Sequence, residues 1–133
     1  MAAKTAVVIV NLGTPDTTSP SAVRRYLKQF LSDPRVVEAP KWLWFWVLRL
    51  LILPFRPRKA AAKYELIWQQ DSPIRAITKA QAEALGRKLP VTVVYGMTYG
   101  EPSLSTELDK LQQQGVERIL ILPMYPQYSA TTN

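Results

Sequence analysis

The side chains best suited to chemistry fall in three loops, each of which follows a short apolar run. They are Asn11, Thr14 and Asp16 in the first loop, Thr98, Tyr99 and Glu101 in the second, and Tyr125, Gln127, Tyr128 and Ser129 in the third. The chain has no histidine and no cysteine, so it lacks the commonest general base and any thiolate metal ligand. We find no paired carboxylates, no Ser-His-Asp set and no glycine-rich phosphate loop. This pattern predicts a ligand-binding cleft, with no catalytic residue and no metal site in this chain.

The first loop leaves a strand that the rest of the fold must surround. Ala6–Val10 is apolar and rich in β-branched residues, which is typical of a strand buried on both faces of a parallel sheet. Asn11, Gly13 and Pro15 end this strand. Ser19–Pro20 then supplies an N-cap and a first helical residue. Gly13 fits a purely structural turn and a ligand-binding loop equally well.

Strands and helices alternate along the rest of the chain. Val91–Tyr95 and Ile119–Leu122 have the same buried-strand composition as the first strand. Helices are predicted at Pro20–Leu31, Ala60–Trp68, Ser72 to about Lys88, with Ile74, Ile77, Leu85 and Leu89 facing inward, and from Ser103 to a C-cap at Gly115. Gly96–Pro102 is predicted as a loop. This order indicates an α/β fold with a Rossmann-like, doubly wound parallel sheet, whose strand-to-helix loops lie at one edge.

Length and charge narrow the classes of partner. The 133 residues suffice for one domain, and the net charge of +7 favours an anionic partner. Nucleic acid is disfavoured because the aromatic residues cluster instead of alternating with cations. No signal peptide is recognisable, which predicts a cytoplasmic protein. The third strand is followed by no crossover helix before Asn133, so we expect an uncovered sheet face and an N-terminal part of something larger.

The least ordinary stretch is an apolar run at 40–58, which we call the apolar lip. It holds Trp42, Trp44 and Trp46, and basic residues flank it. The run is shorter than the roughly 20 residues that span a bilayer. A buried core helix, a membrane-surface element and a wall for a flat, apolar, anionic ligand all fit this composition. We expect a mobile lip at the mouth of the cleft.

Several short motifs together resemble one known family. They are Asn-Leu-Gly-Thr-Pro-Asp at 11–16, Phe-Leu-Ser-Asp-Pro-Arg-Val-Val at 30–37, Ile-Leu-Pro-Phe-Arg at 52–56, Asp-Ser-Pro-Ile at 71–74 and Tyr-Pro-Gln-Tyr-Ser at 125–129. Their order and spacing resemble those of ferrochelatases. The resemblance implies two Rossmann-like domains with a porphyrin between them, of which residues 1–133 would be an incomplete first domain. It also implies insertion of ferrous iron into protoporphyrin IX, the last step of haem synthesis.

The resemblance also implies roles for individual residues. Arg56, Tyr64 and Ser72 match porphyrin-contacting positions of the family. Leu12 falls where members carry other residues, including Met or Tyr near the metal, so here it can only shape the pocket. Thr98 falls where many members have an arginine. Tyr64 as a core aromatic and Ser72 as a plain N-cap remain open alternatives.

The largest departure from the family is the extent of the chain. The family's catalytic histidine, in a Ser-His-Gly-x-Pro segment, and its partner glutamate lie in a C-terminal half that we expect to be missing here. Ferrous iron and protoporphyrin IX would be substrates, with no resident cofactor, and this chain alone would supply one wall of the cleft without iron insertion. The alternative is a truncated, non-catalytic module that binds porphyrin or, through the three lip tryptophans, the inner face of the membrane.

Overall fold

Three parallel strands and five α-helices make up the part of the chain that a computed structural model describes, residues 4–125. The elements, in chain order, are β1 (Thr5–Gly13), α1 (Pro20–Leu31), α2 (Lys41–Val47), a π-helical turn (Leu48–Ile52), α3 (Arg56–Ile67), α4 (Pro73–Lys88), β2 (Thr92–Tyr99), α5 (Leu104–Gln113) and β3 (Arg118–Pro123). The predicted α/β class with a parallel sheet flanked by helices is therefore confirmed.

β1 is the central strand of the sheet, whose order is β2-β1-β3. Val8 lies opposite Val94 of β2 on one side and Ile121 of β3 on the other. One face of β1 packs with Leu111 and its neighbours on α5. On the opposite face α4 packs against β1 and β2, and its Thr78 hydroxyl accepts a hydrogen bond from the Asn11 side chain. Helices on both faces explain why β1 is apolar without alternation.

Both β1 and β2 extend further than the composition indicated. The pairing continues from Val10 to Gly13, so the segment 96–99, predicted as the start of a loop, is strand. Gly13 permits this extension, because its φ is +140° and a Cβ there would overlap the Tyr99 carbonyl oxygen. Gly13 therefore has a structural role at a close approach of two backbones.

The predicted inward face of α4 is wrong for two of its four residues, whereas Ile74 and Leu85 are half-buried. Ile77 is 58% exposed and Leu89 is 37% exposed, whereas Thr78 and Ala82 are buried. The small residues face the sheet because they let the helix backbone approach it closely, and the Thr78 hydroxyl is satisfied by the Ile74 carbonyl oxygen. α3 likewise begins at Arg56, earlier than expected, with a proline in its first turn.

The β3 strand is exposed along its whole length. Its residues Ile119, Leu120, Ile121 and Leu122 are each at least 36% exposed, although their composition predicted burial. β3 pairs with β1 along one edge, whereas α4 and α5 pack mainly on β1 and β2, α1 contacts β2, and α3 packs on α1. The expected uncovered face of the sheet is therefore present.

Candidate functional site

A cleft between α1 and α3 combines an apolar floor with cations. Its volume is about 570 Å³, and its lining consists of Leu27, Phe30, Leu31, Ile52, Ala60, Arg56, Lys59 and Lys63. The three cations stand at i, i+3 and i+7 of α3, a spacing that places them on one helix face. The ion pairs within residues 4–125 are formed by Arg35, Arg75 and Lys110 instead. The cleft therefore offers unpaired positive charge beside apolar surface.

Tyr64 borders a second, smaller hollow on the same helix. This hollow has a volume of about 320 Å³ and shares Ala60 and Lys63 with the larger cleft. The Tyr64 ring packs edge-to-face on Trp68, with ring centroids 6.3 Å apart. Partial burial raises the pKa of Tyr64 above its usual value, which already lies well above neutral pH, and the neutral phenol can donate a hydrogen bond. Arg56 and Tyr64 therefore lie along one side of a continuous surface.

Leu12 lies near the carboxyl end of β1. Leu12 is half-buried, and its backbone N–H donates to the Asn11 side-chain oxygen over 2.9 Å. The neighbouring Gly13 carbonyl oxygen accepts a hydrogen bond from the Tyr26 hydroxyl over 3.4 Å. Burial, and then the nearby Tyr64, raise the pKa of Tyr26. Tyr26 thus connects the end of β1 with the α3 side of the site.

Ser72 occupies the N-cap position of α4, but its side chain makes no capping hydrogen bond. Its hydroxyl oxygen instead accepts a hydrogen bond of 2.6 Å from the Thr14 hydroxyl. Both residues are buried, at 2% and 1% exposure. The structure therefore brings Ser72 next to the loop after β1, and a contact between Ser72 and a porphyrin stays a prediction.

Arg75 is a residue of this region that the sequence patterns did not single out. Its guanidinium donates to the Asp71 carboxylate over 2.7 Å, to the Pro15 carbonyl oxygen over 3.0 Å and to the Glu101 carbonyl oxygen over 3.1 Å. The side chain is only 14% exposed. The i, i+4 spacing of Asp71 and Arg75 was the only sequence signal for this residue. It indicates an ion pair but not the contacts with backbone carbonyl oxygens.

A second polar cluster joins α1 to β2. The Asp33 carboxylate accepts hydrogen bonds from the Tyr99 hydroxyl over 2.6 Å and from the Arg35 guanidinium over 2.9 Å. The hydrogen bonds from Arg35, and then that from Tyr99, hold the pKa of Asp33 well below its usual range. Burial, and then the bond to Asp33, raise the pKa of Tyr99 to about 12. These side chains hydrogen-bond to one another, which is typical of a structural cluster that links two elements.

The remaining predicted loop residues divide between described and undescribed parts of the chain. The Thr98 hydroxyl and the Tyr125 hydroxyl are 2.8 Å apart and share a hydrogen bond. Gln127, Tyr128 and Ser129 lie outside the described residues. Among residues 4–125, no three side chains of His, Cys, Asp or Glu are grouped so as to hold a metal ion.

The apolar lip exposes most of its large side chains. Trp42 is 71% exposed, and Trp46, Leu50, Leu51 and Phe55 are also more than half exposed. Trp44 differs, because it is half-buried and its indole N–H donates to the Leu31 carbonyl oxygen over 2.6 Å. Leu48 and Leu53 are buried. Within the described part of the chain, no helix is long and apolar enough to cross a membrane.

The sheet and the cation-lined cleft together define an α/β protein with a cleft suited to an apolar anion. Comparison with known proteins identifies the family. The family model described as Ferrochelatase matches residues 4–133. A ferrochelatase from Janthinobacterium sp. (strain Marseille) is 56% identical over 97% of this chain and 37% of its own length. One from Psychrobacter cryohalolentis is 51% identical over 96% of this chain and 40% of its own length.

A ferrochelatase from Neisseria meningitidis serogroup C is 50% identical, over 98% of this chain and 39% of its own length. The chain therefore belongs to the ferrochelatase family, as its motifs predicted. It spans about two-fifths of the length of the curated relatives it matches.

Proposed function

We propose that this chain forms one wall of the porphyrin site of a ferrochelatase, and that the whole protein inserts ferrous iron into protoporphyrin IX. The observation that carries the proposal is the cleft between α1 and α3, where Arg56, Lys59 and Lys63 border an apolar floor. A porphyrin is a flat apolar plate with two carboxylates at one edge. The apolar floor suits the plate, and the cations suit the carboxylates.

Within this proposal the chain binds and orients the porphyrin. A guanidinium at Arg56 pairs with a propionate in two parallel hydrogen bonds, and Tyr64 donates a third from the adjoining hollow. Leu12 shapes the pocket at the end of β1. We assign no proton transfer to these residues, because iron insertion needs a base for the two pyrrole protons and the chain has no histidine.

The test of porphyrin binding uses Arg56→Ala and a matched variant of the same helix. Arg58→Ala removes an equal charge two residues away, outside the cleft lining. We expect Arg56→Ala to weaken binding of protoporphyrin IX about tenfold, the cost of one charge-assisted contact. Binding of the dimethyl ester should change by less than about twofold, because the ester carries no charge to pair. Fluorescence quenching gives both affinities. Equal losses in the two variants, or for the two ligands, would refute a propionate contact at Arg56.

We propose a peripheral membrane contact as a second role, carried by the exposed lip. Trp42 and Trp46 expose their indoles on a segment that also holds Lys41 and Arg49. Such aromatic side chains favour the boundary between lipid and water. Trp44 is excluded from this contact because it is half-buried and bonds to Leu31. The double variant Trp42→Ser/Trp46→Ser should lower sedimentation with vesicles of phosphatidylcholine and phosphatidylglycerol at least fivefold. Leu66→Ser is the control, since Leu66 is 85% exposed but lies on α3. An equal effect of Leu66→Ser would rule the lip out as the contact.

A further inference from the structure

Three loops at the carboxyl edge of the sheet meet at the Arg75 guanidinium. The Pro15 contact belongs to the loop after β1, the Asp71 contact to the loop before α4, and the Glu101 contact to the loop after β2. Arg75 also lies 3.7 Å from the Asp16 carboxylate. One rigid, planar group with several donors can hold three backbone segments at fixed separations, which a lysine ammonium cannot match.

Two of these loops are joined a second time through buried hydroxyls. The Asp71 oxygen that accepts from Arg75 also accepts from the Ser72 backbone N–H over 2.7 Å. The Ser72 hydroxyl then accepts from Thr14, which precedes Pro15 in the chain. The contacts therefore close a ring through Arg75, Asp71, Ser72, Thr14 and Pro15. Closed polar networks of this kind hold their members in one arrangement.

We infer that Arg75 is a positioning residue for porphyrin binding, which acts by locking the loop that follows β1 against the loops at 69–72 and 100–102. This inference rests on the proposed function, because two of the four predicted porphyrin-binding residues are close to the ring. Ser72 is a member of the ring, and Leu12 lies in β1 two residues before Thr14. Arg75 itself points into the ring and touches no ligand in this proposal. Its removal therefore changes the shape of the site, not its charge at the cleft.

The experiment compares Arg75→Ala with Arg35→Ala. Both changes remove an arginine that pairs with an aspartate, but Arg35 bridges no loops of the ring. In Arg75→Ala we expect the Ser72 and Gly100 amides, which bond to Asp71 and Gln29, to exchange with solvent at least tenfold faster. The Leu53 amide in the lip should be unchanged. Faster exchange at Ser72 alone, or at neither loop amide, would overturn the locking of the loops.

A positioning role at the binding site predicts a loss of porphyrin affinity that the loss of an ion pair elsewhere would not cause. We expect Arg75→Ala to weaken protoporphyrin IX binding about tenfold and Arg35→Ala less than twofold, with Arg75→Lys in between because an ammonium still pairs with Asp71. Equal losses in the two alanine variants would overturn the positioning role. If the unmodified chain binds no porphyrin, the proposed function fails separately, and the coupled exchange of the two loop amides alone decides whether Arg75 locks the loops.

Discussion

The loops at the sheet edge bury polar side chains, whereas the apolar lip exposes apolar ones. At the sheet edge, Thr14 and Ser72 are buried, and each hydroxyl finds its partner inside the chain. In the lip, Trp42 and Trp46 face solvent with large apolar surfaces. Buried polar groups that are satisfied internally define one shape, whereas exposed apolar surface favours a partner. We therefore call the loops at the sheet edge the frame of the candidate site. The lip, by contrast, leaves apolar surface exposed.

The most severe way to break the frame is a side chain at Gly13. In Gly13→Ala the new Cβ overlaps the Tyr99 carbonyl oxygen while φ stays positive. We expect a loss of about 3 kcal/mol or more in the free energy of unfolding, from overpacking and an unfavourable backbone. Gly115→Ala is the control, because its φ is +80° but nothing lies within 4 Å of its Cβ position. Urea unfolding that gave equal losses for the two variants would contradict the close approach.

Trp44 marks where the exposed lip meets the packed part of the fold. It is the lip tryptophan whose indole N–H reaches the Leu31 carbonyl oxygen. Trp44→Ser should lower the free energy of unfolding by about 2 kcal/mol, through lost packing and an unpaired carbonyl. Trp42→Ser should stay within about 0.5 kcal/mol, as surface changes do. A stability loss for Trp42→Ser as large as that for Trp44→Ser would place the whole lip in the core.

The Thr14–Ser72 hydrogen bond gives a smaller and more specific effect. Thr14→Val keeps the shape but leaves the buried Ser72 hydroxyl without this donor, at an expected cost of about 1.5 kcal/mol in stability. Adding Ser72→Ala should recover part of this loss, since both polar groups are then removed. Thr17→Val is the exposed control. Additive losses in the double variant would mean that the two hydroxyls are not coupled.

Local patterns predicted the parts of the fold that depend on neighbouring residues. The Ser19 cap of α1 was predicted, and its hydroxyl accepts from the Ala22 N–H as expected. The inward face of α4 was predicted only in part, because Thr78 and Ala82, rather than Ile77, are its buried residues. The distance between helix and sheet determines which residues are buried, and the sequence periodicity does not encode that distance.

The same distinction applies to the candidate site. The basic flank of the lip indicated cations near Arg56, and the cleft between α1 and α3 contains them. The predicted cap at Ser72 instead bonds to Thr14, far away in sequence. Arg75 contacts backbone carbonyl oxygens, which every residue has. A contact with a carbonyl leaves no mark on the sequence of the accepting residue, so the ring around Arg75 was not predictable.

The smallest expected effect is a pH dependence of stability, and it comes from the charged cluster at Asp33. Asp33 is ionised in the folded chain at a pH where an ordinary aspartate is protonated, because Arg35 and Tyr99 donate to it. A lowered pKa in the folded state stabilises the fold above the unfolded pKa of about 3.9, and this stabilisation is lost as pH falls toward the folded value. Arg35 is 61% exposed, so solvent screening keeps this contribution small at neutral pH.

Asp33→Asn should therefore be less stable than the parent chain at pH 7, and the difference should shrink from pH 5 to pH 2. Urea unfolding across this range measures it. Asp109→Asn, an exposed change on α5, controls for general charge effects. The apolar contacts of the lip contain no group that titrates in this window, so the stability difference caused by Trp44→Ser should keep its size. A pH-independent difference for Asp33→Asn would show that shape alone, without charge, joins α1 to β2.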